Sequence, residues 1–170
     1  MSALDSLIKQ SLEKATPHTK KVYGQNPLTG KELVELANIR ILNLAATVKP
    51  DQRPHLSPVD VNIVNDKIYI GIDEGTARHK NLNQNPHITI MIADGSKRQA
   101  IIEGVTRILD TKSVTATSVL DAQKTKYGWT TQLVAEVLPT KIFTYKASQK
   151  GQPRTAHTVP ILSRGIVKTK

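Results

Sequence analysis

Residues 68–86 run Ile-Tyr-Ile-Gly-Ile-Asp-Glu-Gly-Thr-Ala-Arg-His-Lys-Asn-Leu-Asn-Gln-Asn-Pro, a strand pattern followed directly by a helix pattern. The alternating isoleucines predict a short strand, and Thr76 is a good helix N-cap because its hydroxyl can accept from a free backbone N–H. Asn85-Pro86 predicts the end of this helix, since the residue before a proline avoids the helical region. The segment therefore predicts a sheet strand, a tight turn and one short crossover helix.

Two cations, Arg78 and Lys80, fall in the first turns of this predicted helix. A helix N-terminus favours anions, so the helix dipole gives two basic side chains little stabilisation. Their position is explained if a phosphate is shared among the free amides, the Thr76 hydroxyl and the two side chains. A solvated basic helix face explains the same residues, because charged helix faces usually contact only water. From these residues alone, both interpretations stay open.

Most of the remaining chain predicts short alternating strands. Six mostly antiparallel strands with two crossover helices predict an α+β fold that is mainly β, a six-stranded antiparallel split barrel, because closing a sheet removes its exposed edges. We predict helices at 3–15, 30–38, 76–85 and 112–126, a loop from Thr16 to Pro27, and strands at 39–48, 59–63, 68–72, 88–92 and 99–109, with a last strand in two parts, 133–138 and 142–145, bent at Pro139. The predicted organisation is an N-terminal helical segment at 1–38, a barrel domain at 39–146 and a basic tail at 147–170.

The net charge of +10 is unevenly distributed. Residues 141–170 hold seven basic residues and no acid, which leaves a net charge of only +3 for the other 140 residues. With aromatic residues at 4%, the stacking side chains expected of a single-strand nucleic-acid binder are missing. A nucleic acid is therefore not the predicted partner.

Composition also excludes several kinds of site. The chain has no cysteine, which excludes disulfides, thiolate metal sites and cysteine nucleophiles. Its five histidines show no metal-ligand spacing, so no metal site is predicted. No apolar run approaches the ~20 residues of a membrane span, and the N-terminus does not resemble a signal peptide. The predicted compartment is the cytoplasm.

Four segments resemble, in order and spacing, the flavin-binding split-barrel superfamily, whose best-known member is pyridoxamine phosphate oxidase. They are Leu44-Ala-Ala-Thr-Val48, Arg53-Pro-His-Leu-Ser-Pro-Val59, the predicted helix from Thr76 to Pro86, and Arg98-Gln-Ala-Ile-Ile-Glu-Gly104. The resemblance implies a barrel that forms a homodimer and holds one FMN per subunit in a cleft at the dimer interface.

Carried over position by position, the resemblance also implies which residues bind the cofactor. The family's phosphate-binding Ser-Arg-Lys run falls on Thr76, Ala77 and Arg78, so the middle cation is lost and Lys80 is its predicted replacement. Trp129, the one tryptophan of the sequence, can cover the flavin ring from the partner subunit, although interface packing without cofactor contact explains it equally well. The implied cofactor-binding residues are Leu56, Ser57, Pro58, Val59, Gly71, Ile72, Thr76, Arg78, Lys80, Gln99 and Trp129.

This sequence departs from the pyridoxamine oxidases at informative positions. Ser57 and Asn62 stand where those enzymes place an arginine for FMN and a lysine for the substrate, and the C-terminal segment with tryptophan and arginine is missing. The resemblance therefore implies an FMN-dependent oxidoreductase of an unknown small molecule that is not a true pyridoxamine phosphate oxidase. The alternatives are an FMN carrier, electron-transfer or sensor protein without turnover, and a deazaflavin-dependent reductase. No catalytic side chain is predicted, because a flavin supplies its own redox chemistry.

Overall fold

The computed structural model of the protein describes residues 1–39 and 41–147. Apart from its first residue, the predicted basic tail at 147–170 lies outside the described residues. Within the described ranges the elements are α1 (Ala3–Glu13), α2 (Pro17–Tyr23), α3 (Gly30–Asn38), β1 (Asn43–Val48), β2 (Pro54–Val59), β3 (Val61–Val64), β4 (Lys67–Ile72), α4 (Ala77–Gln84), β5 (His87–Asp94), β6 (Arg98–Ile108), α5 (Val114–Tyr127) and β7 (Leu133–Lys146).

The strands form one antiparallel sheet in the order β2-β1-β5-β6-β7-β4-β3. The two edge strands, β2 and β3, are consecutive in the sequence and are separated only by Asp60. The chain itself therefore joins the two edges, and the sheet curls into a split barrel. The sheet has seven strands where the sequence predicts six, because β2 and β3, joined at Asp60, pair as separate strands. The predicted fold class is confirmed.

The split opens where β2 moves away from β4. On the β4 side the ladder continues one step past β3, since the Gly71 N–H donates to the Asp60 carbonyl over 3.3 Å. Beyond that point β2 contains Pro54 and Pro58, which lack N–H donors. They are four residues apart, so their backbone groups face the same side of the strand. Prolines are tolerated on the free side of an edge strand, where no ladder partner needs a donor. The carbonyl of Pro58 consequently faces the split and needs a donor from elsewhere.

One hydrophobic core fills the barrel and extends beneath the N-terminal helices. The inward side chains of the central strands are fully buried, and Leu4 of α1 and Leu33 of α3 belong to the same core. Both helices begin with a capping box, formed by Ser2 with Asp5 in α1 and by Thr29 with Glu32 in α3. The buried isoleucines of the described sheet are Ile63, Ile68, Ile70, Ile72, Ile88, Ile90, Ile92, Ile102 and Ile142.

Two local predictions were wrong. Residues 17–23, predicted as loop, form α2, because Thr16 caps the helix and Pro17 occupies its first turn. The two predicted strands at the end of the barrel are one strand, β7, with a register shift opposite Glu103 and Gly104. A Cβ at Gly104 would lie 2.6 Å from the Leu138 carbonyl oxygen, so the bulge requires glycine there.

Helix α5 covers part of the outer surface of the barrel. Val119 packs with Tyr69 of β4 and Val134 of β7 in a second, smaller apolar cluster. The helix ends at Gly128, which adopts the left-handed conformation with φ of 85°. None of the helices in the described ranges has the length and apolar character needed to cross a membrane.

Candidate cofactor site at the split

Arg78 places its guanidinium in the gap where β2 and β4 separate. Its Nη1 donates to the Gly71 carbonyl over 3.2 Å, and its Nη2 donates to Ser57 Oγ over 2.9 Å and to the Pro58 carbonyl. The arginine thereby supplies the donors that the backbone lacks at the split. Three of the segments that the family resemblance assigns to a cofactor meet at this one side chain.

The guanidinium of Arg78 is half-buried, and this burial lowers its pKa from the ordinary value, while the carboxylates of Asp60 and Asp73 act in the opposite direction. Arginine still keeps its charge in a protein. Its Nε–H is buried and finds no acceptor in the part of the chain that the structure describes. Since a guanidinium has five N–H donors and three are engaged, one Nη1 hydrogen remains for a ligand besides this buried Nε–H.

The hydroxyl of Thr76 is occupied in capping α4. It donates to the Asp73 carbonyl over 2.7 Å and accepts from the His79 N–H over 3.3 Å. The next two backbone N–H groups, of Ala77 and Arg78, have no acceptor within residues 1–39 and 41–147. An anion at this helix terminus would therefore bind these two amides, and the Thr76 hydroxyl has no proton left to offer it.

Helix α4 is anchored on one face and open on the other. Leu82 is buried in the core, and Asn81 donates to Thr47 Oγ1 of β1 over 2.9 Å. Lys80 lies on the other face, where it is exposed and forms no ion pair with any described residue. Its amine is consequently available to an anion near the N-terminus of the helix.

The strand residues predicted to bind the cofactor fall into two groups. Val59 and Ile72 point inward and are buried, so only their backbone can reach a ligand outside the core. Leu56 and Pro58 point outward and are exposed, with Leu56 at 63%. A ligand that contacts Leu56 and Pro58 would therefore rest on the outer face of β2, whereas Ser57, which Arg78 contacts, shares the inward side of Val59.

Gln99 and Trp129 do not contact Arg78. Gln99 lies on β6, separated from β2 by β1 and β5, and its side chain donates to the Gly95 carbonyl over 3.2 Å. Trp129 is 48% exposed and packs against Tyr127 at 5.8 Å between ring centroids. Its loop nevertheless reaches the site, because Gln132 exchanges hydrogen bonds with the turn before α4 at residues 73–74.

Sequence reasoning missed a buried hydrogen-bond network behind the split, formed by Asp60, Gln123 and Thr131. Gln123 is 1% exposed; its Nε2 donates to Asp60 Oδ2 over 3.1 Å, and its Oε1 accepts from the Thr131 N–H over 3.1 Å. Burial raises the pKa of the Asp60 carboxyl, although Gln123 and the charges of Lys126 and Arg78 oppose that effect. The available signal was spacing, since Gln123 shares the apolar helix stripe of Ala116 and Val119 and is the polar residue in it.

Gly71 lies against the side chains of Gln123 and Thr131 in this network. We expect Gly71→Ala to lower the free energy of unfolding by about 2 kcal/mol, a typical cost of overpacking. The new Cβ would lie 2.6 Å from Thr131 Oγ1 and 2.7 Å from Gln123 Nε2. Urea unfolding measures the loss. Thr131→Ala removes one of the two clashing side chains. The double variant with Gly71→Ala should therefore lose less free energy of unfolding than the sum of the two single variants. Strict additivity would contradict the proposed contact.

Lys126 ties three elements together on the other side of Asp60. Its Nζ donates to the Ala37 carbonyl at the end of α3 and to the Val61 carbonyl of β3, the latter over 3.0 Å. Burial lowers the pKa of the Lys126 amine to about 8, while the charge of Asp60 opposes this shift. The amine thus loses its proton more readily in the folded protein than in the unfolded chain.

A pH dependence of stability follows from this lysine. Between pH 8 and 10.5 the unfolded chain binds more protons than the fold at this position, so the free energy of unfolding rises with pH there. The gain is on the order of 1–3 kcal/mol. We expect Lys126→Met to lack it, as measured by urea unfolding of both proteins at several pH values. Parallel stability curves for the two proteins would show that Lys126 does not titrate in this way.

The outer face of the sheet carries an apolar row that runs across five strands. Pro58, Leu44, Met91, Ile101 and Phe143 are direct neighbours in register from β2 to β7. Directly opposed residues of antiparallel strands share a face, so these side chains form one continuous stripe. Met91 is 38% exposed at the centre of the stripe, whereas Phe143 at its end packs against Tyr23 of α2, with 5.6 Å between the ring centroids. We call this set the apolar row.

No cluster of three or more histidine, aspartate or glutamate side chains that could hold an ion occurs in the described part of the chain. The site instead offers a cation in a gap between strands, two free amides, one exposed lysine and an outer sheet face. This combination can bind a phosphate and a flat ring.

Comparison with known proteins gives one family match and several solved structures with a similar fold. The family model described as pyridoxamine 5'-phosphate oxidase matches residues 30–156. No curated protein matches the sequence. Among solved structures, a conserved hypothetical protein from Mycobacterium tuberculosis is similar with a TM-score of 0.61 and 17% identity, over 76% of this chain and 91% of that one.

Two further structures have names that refer to flavin cofactors. The FAD-binding protein from Mycobacterium smegmatis has a TM-score of 0.52 and 20% identity, over 71% of this chain and 96% of that one. A structure named F420 reductase has a TM-score of 0.53 and 17% identity, over 64% of this chain and 93% of that one. At these identities the structural likeness establishes the fold alone.

Proposed function

Because the chain belongs to the pyridoxamine 5'-phosphate oxidase family, we propose that it binds FMN at the split and uses it as an oxidoreductase of a small molecule. The observation that carries the proposal is the convergence on Arg78. Its guanidinium contacts Ser57, Pro58 and Gly71, which come from the two strands that the family resemblance assigns to the cofactor. Its remaining donors and the free amides of α4 offer the phosphate its binding groups.

The proposed phosphate position is at the N-terminus of α4. The N–H groups of Ala77 and Arg78 point out of the helix without acceptors among the described residues, and Lys80 is an exposed cation one turn along. Charge-assisted hydrogen bonds of this kind are about twice as strong as neutral ones. The residue that the family resemblance would place first, Thr76, contributes by capping the helix.

A homodimer that completes the site is part of the proposal. In the same chain, Gln99 lies on β6, three strand separations or about 14 Å across the sheet from β2 and further along the strand than the position opposite Ser57. Gln99 lies on the outer face two residues from Ile101 of the apolar row. A partner packed on the apolar row would bring its own Gln99 to the face on which the flavin rests. Burial of this row supplies the apolar area that a stable interface needs.

The flavin, when bound, supplies the hydride or electron transfer, and the chain supplies binding and orientation. None of the side chains described at the split is placed as an acid, base or nucleophile, since Arg78 and Asp60 are engaged with protein groups. This fits an oxidoreductase whose substrate meets the exposed flavin face. It also fits a carrier without turnover, in which Trp129 covers that face.

A deazaflavin is the second candidate cofactor. The similar structure named F420 reductase supports it, because this family fold accommodates that cofactor class in at least one relative. A phosphate at α4 would serve either ring system, so the phosphate site alone does not distinguish them.

The visible spectrum of the purified protein, followed by stopped-flow reduction with NADPH, tests the proposed function. We expect flavin bands near ~370 and ~450 nm that bleach on reduction and return when an electron acceptor is added, because the redox character belongs to the cofactor. A single band near ~420 nm would identify the deazaflavin instead. A protein that is colourless and stays so after incubation with FMN would contradict the proposal.

A further inference from the structure

Gln123 is a buried amide whose orientation is fixed by its neighbours. Its Oε1 accepts from the Thr131 N–H over 3.1 Å, and a backbone amide can only donate. Its Nε2 must therefore face the carboxylate of Asp60, 3.1 Å away. At 1% exposure the side chain has no access to water, so both bonds are needed to satisfy it.

The two partners of Gln123 belong to opposite sides of the candidate site. Asp60 is the corner between β2 and β3, and its carbonyl accepts from Gly71, whose own carbonyl accepts from Arg78. Thr131 belongs to the loop that carries Trp129 two residues earlier. One side chain on α5 thus connects the guanidinium gap with the loop of the tryptophan.

We propose that Gln123 is a positioning residue for the flavin site, a role that rests on the proposed function. Its amide holds the Asp60 corner and the Thr131 backbone at a fixed separation, so the gap of Arg78 keeps its position relative to the turn at residues 73–74, which Gln132 binds just before the proposed phosphate site. Gln123 itself touches no ligand. A site whose supporting residues are loosened binds weakly even when every contact residue is present.

The Gln123→Leu variant removes the hydrogen bonds to Asp60 and Thr131 and keeps the size of the side chain. We expect its dissociation constant for FMN to rise about tenfold, the usual scale for leaving buried polar partners unsatisfied. Trp129 is the one tryptophan, so its fluorescence reports this loop alone, and we expect acrylamide to quench it more strongly in the ligand-free variant. Val119→Ala, four residues earlier on the buried stripe of α5, is the control that lowers stability without either change.

The Gln123→Glu variant gives a signature that lost packing alone would not give. When protonated, a glutamic acid imitates the amide, since its hydroxyl donates to Asp60 and its carbonyl accepts from Thr131. When ionised, it places two carboxylates side by side, with Lys126, Arg78 and Asp73 as the other charged groups around Asp60. We expect FMN binding close to that of the unaltered protein at about pH 5 and about tenfold weaker at about pH 8.

Three results would overturn the proposal. The first is a Gln123→Leu variant with unchanged FMN affinity and unchanged Trp129 quenching. The second is a Val119→Ala control that reproduces both effects, which would make the role one of general stability. The third is a Gln123→Glu variant whose FMN affinity, relative to the unaltered protein, does not change with pH. If the unaltered protein binds no FMN, the proposed function fails by itself, and unchanged Trp129 quenching still decides against the positioning role.

Discussion

Arg78→Ala is expected to weaken FMN binding by about 100-fold, the scale of one to two lost hydrogen bonds to a charged group. The same change leaves the carbonyls of Gly71 and Pro58 without the donor that now fills the split. Stability should therefore fall as well, by about 2–3 kcal/mol. Fluorescence titration with FMN and urea unfolding measure the two effects separately.

Arg53→Ala is the matched control for this experiment. Arg53 lies in the hairpin before β2, its side chain is 73% exposed, and its hydrogen bonds are to Asp51. An exposed ion pair of this kind contributes little to stability. We expect Arg53→Ala to bind FMN as the unaltered protein does. If Arg78→Ala loses stability but keeps its FMN affinity, Arg78 stabilises the split and does not bind the cofactor.

Ile101→Asp is expected to convert a dimer into monomers, with an increase of at least ~100-fold in the dimer dissociation constant. Ile101 is the fourth residue of the apolar row, and in a twofold interface each substitution places a charge in both halves. Because the proposed site draws Gln99 from the partner, the monomer should also lose most of its flavin. Sedimentation velocity with detection at flavin wavelengths follows both changes in one experiment.

The control for the interface is Lys9→Asp, which changes a residue on the outer side of α1. Lys9 is exposed and faces Glu13 along the helix. We expect this variant to sediment as the unaltered protein does. A dimer that survives Ile101→Asp with its flavin would place the interface elsewhere and would separate Gln99 from the site.

The barrel could be predicted because alternating apolar residues mark its strands in the sequence. Residues 68–72 and 88–92 alternate isoleucine with other side chains, and all of these isoleucines are buried in the core. The cap at Thr76 and the stop at Asn85 were equally visible, since both rest on local chemistry. Helix α2 was missed because its seven residues expose mostly polar side chains and bury none.

The arrangement of the site was harder to predict, because it depends on how distant strands close. Nothing local to Asp60 shows that it joins the two edges of the sheet, since this needs the pairing of β2 with β1 and of β3 with β4. The inward direction of the Arg78 side chain could, however, be predicted from its spacing in the sequence. It lies four residues before Leu82, the buried apolar residue of α4, so both share one helix face.

The comparison of FMN with riboflavin tests the central claim most directly, because the two ligands differ only by the phosphate. Calorimetric titration of the ligand-free protein should give FMN an affinity at least ~100-fold higher than that of riboflavin, and this advantage should disappear in Arg78→Ala. Equal affinities for the two ligands in the unaltered protein would contradict a phosphate site at Arg78 and the N-terminus of α4.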